Sequence, residues 1–79
     1  MMKADHKAIN VTNHFNDTGK QRLRKALDNG DKILICVDCI GHTRSEMVEG
    51  EYACWLREVY GNRLMVKEQT AWGDIYYLN

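Results

Sequence analysis

Hydrophobic and polar residues alternate with different periods along this chain, and the changes of period divide it into elements. Ala8-Ile-Asn-Val-Thr12 alternates apolar and polar residues, the pattern of a short edge strand. A loop follows from Asn13 to Asp17, with Phe15 expected to drop into the core. Leu23, Ala26 and Leu27 then recur at helical spacing. Thr18 and Gln21 match a capping box at the start of that helix, and Asn29-Gly30 supplies its stop. The most hydrophobic segment runs from Lys32 to Ile40, β-branched and nearly continuous, which is how a central strand covered on both faces reads. Val48, Tyr52, Trp55, Leu56 and Val59 form one apolar stripe along a second helix, expected from Thr43 to about Tyr60 with Thr43 and Glu46 as its capping box. Gly50 lies inside that helix. Arg63 to Glu68 and Asp74 to Leu78 read as two strands around a turn at Gln69 to Gly73, an antiparallel hairpin.

The order is (β)αβαββ, with no repeat or low-complexity tract. It predicts an α+β or mixed α/β fold, a small two-layer sandwich in which one three- to four-stranded mixed sheet packs against two helices. The strands around the second helix should run in the same direction, with the last strand antiparallel beside them. With 79 residues there is room for one core, so residues 1–79 are read as a single domain with 1–7 frayed.

Composition changes this picture little. The chain is 44% hydrophobic and 28% charged, too apolar for a disordered segment and too charged for a membrane span. Eleven basic and eleven acidic side chains cancel, which argues against a dominant field toward nucleic acid or anionic lipid. No apolar stretch of signal-peptide length opens the sequence, so a cytoplasmic location is expected, with reduced thiols.

Four groups of residues could carry chemistry. Cys36, Cys39, His42 and Cys54 contain the donors of a Cys3His zinc site. Against that reading, Cys36 and Cys39 lie in the strongest strand, where three steps of ~3.3 Å separate them by about 10 Å and turn them to opposite faces. Core thiols are therefore expected, with no cofactor. Asp38, His42, Thr43 and Arg44 follow the same strand, where an acid/base pair and an anion-binding cation could sit; turn caps and solvated side chains are the simpler reading. No Gly-x-Ser-x-Gly elbow, His-Glu-x-x-His motif or glycine-rich phosphate loop occurs, so no catalytic residues are assigned and an enzyme is not expected.

The first helix carries Lys20, Arg22, Arg24 and Lys25, a basic face that could contact phosphates; this is the alternative, nucleic-acid-binding reading. The fourth group is the C-terminal hairpin. Both faces of Asp74 to Leu78 are apolar although a terminal strand is expected at an edge, and Trp72, Tyr76 and Tyr77 are of the kinds that anchor protein interfaces. The expected function is a small protein-interaction module, an inhibitor, adaptor or antitoxin-like binder of the kind found in phages and mobile elements. Its partner is another protein, or a second copy in a homodimer.

Overall fold

A computed structural model describes residues 6–38, 42–71 and 73–79. The elements are β1 (Lys7–Thr12), α1 (Asp17–Asp28), β2 (Ile33–Asp38), α2 (His42–Tyr60), a single 3-10 turn (Gly61–Arg63), β3 (Leu64–Thr70) and β4 (Gly73–Leu78). The four strands form one mixed sheet in the order β1-β2-β4-β3. β1 and β2 are parallel, while β4 runs antiparallel to both β2 and β3. The fold is the small α+β sandwich expected of the pattern.

The alternation along each strand decides what the helices cover. Ile33 and Ile35 of β2, Val11 of β1 and Tyr76 of β4 join Leu23, Ala26 and Leu27 of α1 and Val48, Tyr52, Ala53 and Leu56 of α2 in one buried cluster. The registers place Ile9 beside Ile35 and Tyr76 beside Ile33, so these residues share the helix-facing side of the sheet. Leu34 and Ile75, paired with each other, are buried on the other side. A strand apolar on both sides is what Lys32 to Ile40 implied. Its described part is Ile33–Asp38.

Three local expectations are corrected. The terminal strand is not an edge: β4 lies between β2 and β3. The connection through α2 carries β3 one place away from β2, and β4 returns into the gap, which explains why both its faces are apolar. The N-cap of α1 is Asn16 rather than Thr18, its side-chain oxygen accepting from the Gly19 N–H at 2.9 Å. Starting the helix at Asp17 puts this carboxylate in the first turn, where the helix dipole favours it. Phe15 remains 36% exposed and packs edge-on against Tyr52, with ring centroids 4.8 Å apart, instead of entering the core. The stop of α1 is as read, Asn29 at the C-cap followed by Gly30 at φ 91°, a backbone conformation costly for any side chain.

Tyr52 ties the β1–α1 loop to α2. Its hydroxyl donates to the His14 carbonyl at 3.0 Å and accepts from the Asn16 N–H at 3.2 Å. Gly19 makes this approach geometrically allowed, since a Cβ there would lie 2.1 Å from the Tyr52 hydroxyl oxygen.

Candidate functional site

The two edges of the sheet are built differently. β3 carries a register shift between Val66 and Glu68, which leaves Lys67 as the extra residue of a bulge. Bulges and charged side chains are the usual devices that stop an edge from pairing with another chain. β1 has neither a bulge nor a proline and pairs with β2 in continuous register from Lys7↔Ile33 to Thr12↔Asp38. The Lys7 N–H donates to the Lys32 carbonyl at 2.8 Å, which sets the phase of the parallel ladder. Lys7, Ile9 and Val11 turn their backbone groups toward β2, and Ala8, Asn10 and Thr12 turn theirs outward. Among the described residues no strand pairs with that outer edge.

Beside it α1 forms the opposite wall of an open groove of about 810 Å³, lined on the strand side by Lys7 to Asn10 and on the helix side chiefly by Arg22, Lys25, Ala26 and Asp28. Arg22 reaches across and donates from Nη1 to the outward carbonyl of Asn10 at 2.9 Å. At the entrance Lys7 pairs with Asp31 at 3.2 Å. The Asn29 amide and the Lys7 ammonium beside Asp31 hold its carboxyl below the usual range. Asp28 accepts the Tyr60 hydroxyl at 2.8 Å, and burial together with that carboxylate raises the Tyr60 pKa.

The four cations expected as one basic face are therefore divided among separate tasks. The Lys20 ammonium lies 4.6 Å from the centre of the Phe15 ring and 5.5 Å from that of Trp55, with Asp17 at 3.8 Å. Arg24 interacts with Tyr60. Arg22 and Lys25 remain together in the groove.

The hairpin residues separate in the same way. Tyr76 is 2% exposed in the core, which leaves it no surface for a partner; burial and the nearby Asp74 push its phenol up to about 12. Tyr77 is half-buried and paired with Met65. Trp72 lies outside the described residues.

Of the thiols, Cys36 sits on the other side of β2 from Ile35, half-buried, and burial raises its pKa. Cys54 is exposed on α2. Cys39 and the side chain of His42 lie outside the described residues, and among those described no three His, Cys, Asp or Glu side chains gather around a metal-sized position. Asp38 ends β2 exposed, Thr43 is exposed in the first turn of α2, and Arg44 donates to the Asn13 carbonyl at 3.3 Å, a loop tie. No described helix is long and apolar enough to cross a membrane.

The groove escaped sequence reasoning because it depends on strand order. Its one legible signal is the combination of outward Asn10 in a short alternating strand with Arg22 and Lys25 three residues apart on one helix face. Compared with protein-family models, characterised proteins and solved structures, the chain matches none.

Proposed function

We propose that this chain is a small protein-binding module that takes an extended segment of a partner protein onto the outer edge of β1, alongside α1. The observation that supports the reading is the conjunction of a regular, unbulged edge strand with the open groove that α1 walls. Strand addition needs both parts: main-chain donors and acceptors give affinity, and a wall beside the edge contacts alternate side chains of the added strand. Six residues of β1 extend roughly 20 Å at ~3.3 Å per residue, enough for a short peptide to lie along it. The open groove of about 810 Å³ has room for side chains of such a segment. β3 is the poorer acceptor because its bulge interrupts the ladder. The binding surface thus moves from the aromatic hairpin to the opposite edge of the sheet.

The test is selection of binders from a random heptapeptide display library, followed by affinity measurement on the parent and on Asn10→Pro. The Asn10 N–H points away from β2, so proline is tolerated by the β1–β2 ladder while it removes the donor and obstructs an incoming strand. The expected result is a loss of about tenfold or more in affinity, equivalent to one or two hydrogen bonds, with an unchanged melting temperature. Undiminished binding to a folded Asn10→Pro chain rejects strand addition at β1.

A further inference from the structure

We infer that the partner segment is acidic and that Arg22, with Lys25 beside it, is the residue that reads it. This rests on the strand-addition reading above. The charges around the groove are unevenly satisfied. Asp31 has Lys7 at 3.2 Å, and Asp28 accepts from Tyr60 at 2.8 Å. Among the described residues Arg22 meets only the neutral Asn10 carbonyl, and no described acid pairs with Arg22 or Lys25.

The Arg22 contact occupies an outward acceptor of β1 that an added strand requires for its own N–H. A partner must therefore displace the guanidinium and offer it something better. A carboxylate does so, because its hydrogen bonds to arginine are charge-assisted and often bidentate. Every second side chain of an added strand turns toward α1, so one Asp or Glu at such a position comes to Arg22 while its backbone takes the Asn10 carbonyl. Until then Arg22 shields the edge from indiscriminate pairing, and a strand without a carboxylate would leave the displaced cation uncompensated. A nucleic-acid strand fits less well: two of the four helix cations are engaged elsewhere, and Asp28 and Asp31 stand in the groove wall.

The experiment repeats the heptapeptide selection on the parent and on Arg22→Gln, then measures a selected peptide and its Glu→Gln or Asp→Asn counterpart by fluorescence anisotropy. Amide hydrogen exchange locates each complex, and a single-stranded oligonucleotide serves as competitor. Expected are enrichment of an acidic residue on the parent but not on Arg22→Gln, and an acid peptide about tenfold tighter than its amide on the parent. The two peptides should be equal on Arg22→Gln, and Arg22→Lys should keep part of the preference. Binders that protect Ala8 and Asn10 without acidic bias overturn the inference and leave strand addition standing. Absence of any binder protecting Ala8 or Asn10 from either selection overturns strand addition and the inference with it. Displacement of the peptide by the oligonucleotide, dependent on Arg22 and Lys25, assigns the groove to nucleic acid instead.

Discussion

Replacing Gly19 by alanine should destabilise the protein severely, although the same change in an open helix position stabilises. In a solvated helix interior alanine gains up to about 1 kcal/mol over glycine. At Gly19 the added Cβ would stand 2.1 Å from the Tyr52 hydroxyl oxygen and 2.7 Å from Cζ. Tyr52 is fully buried, so it can yield only by deforming the core. Overpacking of this kind costs about 1–3 kcal/mol. Moving the hydroxyl also breaks its bonds to the part-buried His14 carbonyl and Asn16 N–H, at about 0.5–1.5 kcal/mol for each hydrogen bond lost. The net loss is about 1–5 kcal/mol, and at ~4–8 °C per kcal/mol for a domain of this size the melting temperature falls by roughly 4–40 °C. Tyr52→Phe alone should cost about 1–3 kcal/mol through the same two groups. Combined with Gly19→Ala it should cost less than the sum of the single changes, because the closest clash is gone. Thermal and urea unfolding followed by circular dichroism read all four corners of this cycle. A Gly19→Ala chain as stable as the parent, or strictly additive changes, refutes the packing of the loop against α2.

Gly50→Ala is the matched control: a Cβ there meets nothing within 4 Å, so it should stabilise by about 0.5–1 kcal/mol, and a lower melting temperature contradicts the unbroken α2. Tyr76, raised from 10.0 to about 12 chiefly by burial, is neutral in the folded chain where the unfolded chain ionises. Its contribution is complete below pH 10 and is lost as pH rises toward about 12, about 3 kcal/mol in all. Tyr76→Phe should flatten that alkaline decline, and parallel unfolding curves for the two chains refute it. Burial and the neighbouring Asp74 and Glu46 raise the Glu49 carboxyl above 4.5, so its ionised form costs stability at neutral pH. The native state holds the proton more tightly, and stability falls as pH rises through the window above 4.5. Glu49→Gln should therefore be at least as stable as the parent at neutral pH, with the parent gaining on it as pH drops. A pH-independent difference between the two rejects the assignment.

Much of the fold was legible because its signals are local. The nearly continuous Ile33–Asp38, the helical stripe of Val48, Tyr52 and Leu56 and the stop at Asn29-Gly30 each act within a few residues of themselves. The place of β4 was not, since strand order is decided by which gap the chain returns to. Its two apolar faces were visible, but they mark an inner strand as readily as a sticky edge. The capping-box spacing points to Thr18, whereas the cap is Asn16, whose N–H is tied to the Tyr52 hydroxyl by a contact 36 residues away in sequence. In the groove, Arg22 and Lys25 stood out as cations. Asn10 did not stand out, because its carbonyl meets Arg22 only once β1 packs beside α1, and Asp31 joins the same groove by the same packing.

The outer edge of β1 is tested most directly by residue-resolved amide hydrogen exchange, on the free chain and with a selected peptide. Strand addition predicts that Ala8 and Asn10 exchange rapidly in the free chain while Ile9 and Val11, bonded to β2, are slow. Bound peptide should then slow Ala8 and Asn10 and leave β3 unchanged. Ala8 and Asn10 already as slow as Ile9, or peptide protection falling on β3 instead, would contradict it.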